Sequence, residues 1–291
     1  MTEKNTDRRW RDVDGELIDE EDRGLVYDIR TLIDRRRVLG IFGGIATATL
    51  LAACSSPGDA RPSSSAAAST PLPSGSASTD ASGTVSEVPD ETAGPFPGDG
   101  SNGVNVLDDS GIVRRDIRSS FGSSTKTAPG VPLTVRLGVR DASTGAALAG
   151  AAVYIWHCDR DGEYSLYGNG VQNENYLRGV QQVDDTGTVT FTSIFPACYS
   201  GRWPHIHFEV YRDVATAIAS GPIVKTSQLA LPKEVCDAVY ATNGYEQSVT
   251  NLSRTSLARD MVFGNDGGIH QIATMTGSVA SGYAAALTIG V

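Results

Sequence analysis

The residues with the clearest chemical potential are two histidines separated by a single residue, His205 and His207. Side chains two positions apart on a β-strand point to the same side, so both imidazoles share one volume while Ile206 and Phe208 face the opposite way. Two imidazoles on one face are a common start for a metal site. The chain has only 4 histidines, which argues against a chance pairing. The alternative is an exposed pair on a polar strand face.

Two tyrosines can complete such a site. Tyr199 precedes His205 across a loop that can fold back onto the strand, and Tyr164 follows an Asp-Gly turn. No Asp, Glu or Cys stands in the immediate positions where a zinc or iron(II) site would take its third ligand. Because tyrosine ionises near pH ~10, a phenolate ligand at neutral pH requires a strong Lewis acid. The pattern favours iron(III) over zinc or magnesium, although each tyrosine alone also fits a core or edge position.

Short runs bounded by turn residues predict the strands that position these side chains. One covers Leu133 to Val139 and another His205 to Tyr211, which includes the histidine pair. Further strands are predicted over residues 151–156, 188–191, 225–231 and 285–291, and a short helix begins at Pro232. Many short strands with few helices predict an all-β fold, an antiparallel β-sandwich with few short helices.

Residues 1–54 are predicted to be an export signal. Arginines at 35–37 precede an apolar run over 38–53, shorter than the ~20 residues that span a bilayer. The arginines resemble a twin-arginine signal, and residues 51–54 resemble a lipobox, which implies lipidation of Cys54. The alternative is an ordinary secretory signal in which Cys54 is incidental. We therefore expect an exported lipoprotein anchored to the outer face of the cell membrane.

The remainder divides into a linker and one domain. Residues 55–87 are rich in Ser, Ala, Gly, Pro and Thr, and such a segment buries too little apolar surface to offset its ordering entropy. Residues 88–291 are predicted to form one folded domain. The formal net charge of -10 disfavours a nucleic-acid partner.

Five segments resemble the intradiol ring-cleavage dioxygenase family, in particular the protocatechuate 3,4-dioxygenase β-chain type and secreted actinobacterial lipoprotein relatives. These segments are residues 91–96, 156–159, 161–165, 176–179 and 195–208. The resemblance covers residues 88–231 well and the remainder loosely, and the block from Tyr199 to His207 is specific. It implies a prealbumin-like β-sandwich with a non-haem iron(III) cofactor.

In that family two tyrosines and two histidines hold the iron. The resemblance implies that Tyr164 and His207 are equatorial ligands and that Tyr199 and His205 are axial ligands. The resemblance also implies that the diol substrate chelates the metal as a dianion, and that Tyr199 leaves the metal and helps to take a proton. Insertion of O2 between the two hydroxyl-bearing carbons gives a cis,cis-muconate. The implied partners are a small aromatic diol and O2.

Two further residues match family positions near the substrate. Arg202 matches an arginine that stabilises charge developing on the substrate ring, for which a fixed guanidinium in a dry pocket is well suited. Gln228 matches a glutamine close to the bound substrate. The alternative for Arg202 is a surface loop position. His157 is expected to be structural, and His270 is expected to be exposed.

The cysteines bear on the compartment. With Cys54 lipidated, three remain, which outside the cell permits at most one intramolecular disulfide. Comparison with the family favours the pair Cys198 and Cys236, leaving Cys158 free.

Other functions stay open at this point. One is a non-catalytic, transthyretin-like binding module that retains a metal site, and another is a metalloenzyme of the same fold that uses copper. The choice among catechol, protocatechuate and hydroxyquinol is open, as is the oligomeric state.

Overall fold

The computed structural model describes residues 84–291, which form two four-stranded β-sheets with a few short helices. The strands are β1 (Pro132–Arg140), β2 (Ala152–Trp156), β3 (Arg178–Gln182), β4 (Thr188–Ile194), β5 (His205–Tyr211), β6 (Ile223–Ala230), β7 (Thr274–Ser278) and β8 (Gly282–Gly290). The α-helices are α1 (Val214–Ile218), α2 (Lys233–Tyr240) and α3 (Glu246–Leu252), followed by the 3-10 turns Leu257–Arg259 and Phe263–Asn265.

Several expectations fall on other parts of the chain. The export signal, the lipidated Cys54 and most of the linker lie outside the described residues. Within residues 84–291, no helix combines the length and the apolar character needed to cross a membrane.

The two sheets confirm the all-β sandwich. One has the strand order β4-β1-β8-β7 and the other the order β3-β2-β5-β6. Every strand pair is antiparallel except β1 with β8, which is parallel. Parallel neighbours need a long crossover connection, and the six strands between β1 and β8 provide one. The antiparallel β-sandwich predicted from the sequence is therefore confirmed, with one parallel pair within it.

Alternating side chains build the core between the sheets. In β1, Leu133, Val135, Leu137 and Val139 are buried at every second position, as a strand with one core face requires. They share one hydrophobic cluster with inward residues of β5, such as Phe208. Strand β5 is buried along its whole length, because a second cluster, containing Tyr154, Trp156 and Tyr164, covers the outer face of its sheet. This covered outer face carries the histidine pair.

Weakly patterned elements were missed in the sequence. Strand β3 shows little alternation, and β7 is a polar, largely exposed edge strand that pairs only with β8. Helix α3 was also missed, whereas the helix start at Pro232 is confirmed, because this residue is the N-cap of α2.

The expected disulfide between Cys198 and Cys236 is wrong, because all three described cysteines are buried and free. The Sγ of Cys198 donates to the carbonyl oxygen of Arg202 at 3.4 Å, whereas the Sγ of Cys236 donates to that of Leu231 at 3.9 Å. The two thiols are therefore directed to different backbone carbonyls.

Candidate metal centre

The histidine pair lies on the outer face of a central strand. Strand β5 has β2 on one side and β6 on the other, so His207 is flanked in register by Trp156 and by Gln228. Both imidazoles are buried under the second cluster. A central strand held by two neighbours is a rigid support for such side chains.

The four side chains expected to hold a metal converge. Three donor atoms lie within 3.4 Å of the Nε2 atom of His205. They are the Nε2 of His207 at 3.0 Å, the Oη of Tyr199 at 3.3 Å and the Oη of Tyr164 at 3.4 Å. The strand therefore presents both histidines, and two separate loops present the tyrosines, to one small volume.

Each histidine ring is held by a neighbour. The Nδ1 of His205 lies 2.6 Å from the carbonyl oxygen of Trp203, which can only accept, so Nδ1 carries the proton and the Nε2 lone pair faces the cluster. The ring of His207 stacks on the indole of Trp156 at 4.8 Å with an interplanar angle of 8°. Its Nδ1 is buried and has no hydrogen-bond partner among the described residues. The Nε2 of His205 therefore faces both tyrosines, and the Nε2 of His207 faces that of His205.

A tight turn presents Tyr164. The Oδ1 of Asp159 accepts hydrogen bonds from the backbone N–H groups of Asp161 and Glu163, closing the turn just before the tyrosine. Gly162 has a φ of 93°, a conformation that few residues other than glycine adopt. The Tyr164 ring is buried and contacts the Tyr199 ring edge-on at 5.9 Å. Tyr199 itself is half-buried.

The electrostatics suit metal binding. Burial lowers the pKa of His205, and the nearby Arg202 lowers it further. Burial also lowers the pKa of His207, to which the neighbouring His205 adds. Both imidazoles are therefore neutral, which is the form that ligates metals. Burial, followed by proximity to Tyr199, raises the pKa of Tyr164 well above its usual value.

The donor set fits a hard, highly charged ion. Within the described part of the chain, no group of three or more His, Cys, Asp or Glu side chains could hold a metal, so the tyrosines are needed to complete the site. A phenol with a raised pKa ionises at neutral pH only against a strong Lewis acid. Two neutral imidazoles with two phenol oxygens therefore match iron(III) better than zinc, whose sites draw on Cys, His and carboxylate ligands.

Arg202 is buried, not on the surface. Its Nη2 donates to the Oε1 of Gln228 at 2.6 Å, and its Nε donates to the Oδ2 of Asp260 at 3.0 Å. The Nε2 of Gln228 in turn donates to the carbonyl oxygen of Thr92 at 2.9 Å. The structure thus brings the two further predicted residues into one hydrogen-bonded chain beside the four donors.

Asp260 is the residue that sequence reasoning missed. Besides Arg202, its carboxylate accepts the backbone N–H of Trp203 at 2.6 Å and those of Val262 at 2.8 Å and Phe263 at 3.1 Å. Burial opposes its ionisation, but the charge of Arg202 and the Trp203 N–H hold its pKa below the usual range. One carboxylate therefore supports both the arginine and the backbone that orients His205.

A second buried carboxyl, that of Glu91, lies close to the hydrogen-bonded side chains of Arg202 and Gln228. It is only 3% exposed, and its Oε1 has no hydrogen-bond partner among the described residues. Burial, with a smaller contribution from Asp266, raises its pKa from 4.5 to about 8. The segment that carries Glu91 also provides the carbonyl of Thr92 that holds Gln228.

The other two histidines stand apart from the cluster. His157 is buried, and its nitrogens are 2.7 Å from the Oγ of Ser193 and from the carbonyl oxygen of Cys158. This is a hydrogen-bonded core position, as expected. His270 is half-buried, not exposed as the sequence suggested.

A cavity of about 260 Å³ lies against the tyrosines. Its walls include Tyr164 and Tyr199, parts of the loop over residues 161–172, and one face of α3. The loop after Tyr164 contributes Tyr167, Gly168, Asn169 and Gln172 to this wall.

Comparison with known proteins bears on the family. Residues 117–217 match a family model described as Dioxygenase. A chlorocatechol 1,2-dioxygenase from Rhodococcus opacus is 34% identical over 71 residues, which are 24% of this chain and 27% of the relative. The match thus spans about a quarter of that curated relative's length.

Solved structures give the same family. An intradiol ring-cleavage dioxygenase from Tetranychus urticae superposes with a TM-score of 0.53 and 25% identity, over 62% of this chain and 87% of that one. A second dioxygenase structure has a TM-score of 0.52 and 26% identity over the same shares. The matched family model and these neighbours are intradiol ring-cleavage dioxygenases, which confirms the family predicted from the sequence.

Proposed function

We propose that this protein is a non-haem iron(III) intradiol dioxygenase that cleaves the ring of a catechol-type diol with O2 to a cis,cis-muconate. The observation that carries the proposal is the convergence of three donor atoms within 3.4 Å of the Nε2 of His205. The family match over residues 117–217 supports the same reaction class.

Four residues would hold the iron: Tyr164, Tyr199, His205 and His207. When bound, this ion would promote ionisation of the diol and activate its ring towards O2. The protein contributes rings whose orientation is set before any ligand arrives. Trp203 sets that of His205 through its carbonyl, and Trp156 sets that of His207 by stacking. Such preorganisation keeps the donor atoms from rearranging during the reaction.

The two tyrosines have different surroundings and therefore different roles. Tyr164 is 3% exposed and packs against Phe96 at 5.1 Å, so it is fixed in place. Tyr199 is half-buried and forms part of the cavity wall. As a phenolate, its Oη would accept a proton from the incoming diol and then move aside, whereas the buried ring of Tyr164 is held by its packing.

Arg202 supplies a fixed positive charge. Its guanidinium is bonded to Asp260 and Gln228, so it does not have to reorganise when negative charge develops on the ring. A buried cation held in this way stabilises such charge more than a solvated one does. Gln228 acts by orienting the guanidinium.

The reaction balances without a further reactant. One O2 is consumed per diol, the bond between the two hydroxyl-bearing carbons breaks, and both oxygen atoms enter the two carboxyl groups of the product. The diol supplies the electrons that reduce O2, so no external reductant is needed.

Oxygen uptake with labelled product tests the proposal. Iron-loaded protein is given catechol under oxygen-18, and the product is analysed by mass spectrometry. We expect one O2 consumed per catechol and two labelled atoms in a muconate. Tyr199→Phe should lose most of this activity, whereas Tyr283→Phe, at a half-buried tyrosine on β8, should retain it.

Two results would contradict the proposal. Catechol that binds without O2 uptake would indicate a non-catalytic binding module that retains the site. Activity that follows bound copper and not bound iron, measured by elemental analysis, would indicate a different metalloenzyme.

We also propose that the chain is exported and tethered to the outer face of the cell membrane through Cys54. The support is the arginine-led apolar run and the lipobox-like residues 51–54. Cys54→Ser should release the protein from the membrane fraction. Retention of this variant in the membrane fraction would contradict the tether.

A further inference from the structure

The cavity beside the tyrosine pair has the size of a one-ring site. Its volume is about 260 Å³, and Tyr164 and Tyr199 form part of its wall. Small-molecule sites commonly enclose ~300–1,000 Å³. The cavity therefore suits a single aromatic ring with small substituents.

The charge of the cavity walls has one sign. Asp161 and Glu163 are the only charged side chains among the lining residues, which include no Lys, Arg or His. The remaining walls are apolar or carry uncharged polar groups, such as the amides of Gln172, Gln247 and Asn251. A substrate entering here thus meets two carboxylates and no lining cation.

One of these carboxylates is fixed in place. The Oε2 of Glu163 accepts a hydrogen bond from the backbone N–H of Asn169 at 3.0 Å. A Cβ added at Gly168 would collide with this carboxylate, so the glycine makes room for it. Asp161 lies in the same turn and is exposed. The negative charge is therefore held at the rim and does not depend on a mobile side chain alone.

Two buried arginines lie near the cavity without forming its wall. Neither Arg202 nor Arg178, whose guanidinium packs over the Tyr167 ring at 5.5 Å, is among the residues that line it. The guanidinium of Arg202 forms an ion pair with Asp260, whose side chain is fully buried. A carboxylate carried on the ring of a substrate would therefore meet repulsion at the rim without a compensating partner on the cavity wall.

We propose that this cavity selects single-ring diols whose substituents are neutral or positively charged, and disfavours diols that carry a carboxylate. This inference rests on the proposed function, because it assigns the cavity to the diol substrate. It separates the chain from an enzyme for protocatechuate, in which the ring bears a carboxylate.

Three ring compounds of nearly equal size test the proposal: 3,4-dihydroxybenzoate, 3,4-dihydroxybenzamide and 3,4-dihydroxybenzylamine. They place a negative, a neutral and a positive group at the same ring position. Affinity is measured by calorimetry on the full-length iron-loaded protein, and kcat/KM by oxygen uptake. We expect the benzoate to bind on the order of tenfold more weakly than the amide, and the amine at least as well as the amide.

Charge variants separate electrostatics from shape. Asp161→Asn combined with Glu163→Gln should reduce the difference in affinity between the benzoate and the amide. Gln247→Lys should also reduce this difference, because it adds a cation to the cavity wall. The matched control is Glu234→Gln with Asp237→Asn, which removes two exposed charges outside the cavity lining and should leave the difference unchanged. High salt should also reduce the difference, because it screens the rim charges.

Binding and turnover fail separately. Three results would overturn the charge selection. They are a benzoate that binds as tightly as the amide, an affinity difference that stays unchanged in both the double variant and Gln247→Lys, and no binding of any of the three compounds. Binding in the expected order without oxygen uptake supports the selection and overturns the proposed reaction instead.

Discussion

Asp260→Asn tests whether one buried carboxylate supports this site. The wild-type side chain is fully buried and accepts four hydrogen bonds, one from Arg202 and three from backbone N–H groups. Asparagine has nearly the same volume but no charge, and it keeps one acceptor oxygen. The NH2 group in place of the other oxygen then faces N–H donors. The substitution therefore removes charge and acceptors with little change in packing.

The magnitude follows from burial. Removing one partner of a buried ion pair destabilises a protein by about 3–5 kcal/mol, because the other charge stays buried and uncompensated. Arg202 is 3% exposed and would be that charge, and it keeps its hydrogen bond to the neutral Gln228. We therefore expect a loss of about 3–5 kcal/mol in the free energy of unfolding, out of the ~5–15 kcal/mol typical of a domain.

Urea unfolding followed by circular dichroism measures this loss. The matched control is Asp237→Asn, which breaks an exposed ion pair with Lys233 on helix α2 and should change stability by no more than ~0.5 kcal/mol. The pKa of Asp260 lies below its usual range, so its stabilising effect is present above pH ~4 and is lost as the pH falls through the lowered pKa. The difference in the free energy of unfolding between wild type and Asp260→Asn should therefore shrink as the pH falls. A loss at neutral pH as small as that of the control would refute the reasoning.

Three further outcomes are expected. Because the pKa of Glu91 is raised from 4.5 to about 8, the folded state holds this proton more tightly than the unfolded state does. The free energy of unfolding of the wild type should therefore fall as the pH rises from 4.5 to about 8. Glu91→Gln should flatten that slope in urea titrations at several pH values, and an unchanged slope would contradict it. His207→Ala should lose iron by elemental analysis, whereas Tyr199→Phe should keep some iron and lose ~10²-fold or more in kcat; equal iron loss in both would contradict the separate roles. Burial raises the pKa of three thiols, those of Cys158, Cys198 and Cys236. A thiol reagent followed by peptide mapping should therefore label them only after unfolding. Fast labelling of these cysteines in the native protein would contradict this.

Local patterns predicted the parts of the site that lie on or next to one strand. The spacing of His205 and His207 requires only the two-residue period of a strand, which β5 has. Tyr199 and Arg202 lie in the loop that leads into β5, so their proximity to the histidines follows from short chain separation. Gln228 came from the family resemblance, and Tyr164 was a candidate only as a tyrosine after an Asp-Gly turn, because no local pattern brings either residue near β5.

The rest depends on contacts between distant segments. Asp260 contacts Arg202 across 58 positions of the sequence, and it lies between two 3-10 turns that carry no amphipathic pattern. An aspartate at position 260 is indistinguishable in the sequence from an exposed turn residue, because its burial depends on the tertiary structure. The parallel pairing of β1 with β8 is equally non-local, since each strand alone fits an antiparallel neighbour. Burial of the thiols likewise emerges only from packing of the whole domain.

The visible absorption spectrum of purified, iron-loaded protein, recorded before and after adding catechol, shows whether the two tyrosines bind iron(III). We expect a red-brown tyrosinate-to-iron(III) band that shifts when catechol binds, because Tyr164 and Tyr199 are the oxygen donors next to the histidine pair. A protein that stays colourless after iron reconstitution would exclude iron binding through these tyrosines, whatever its fold.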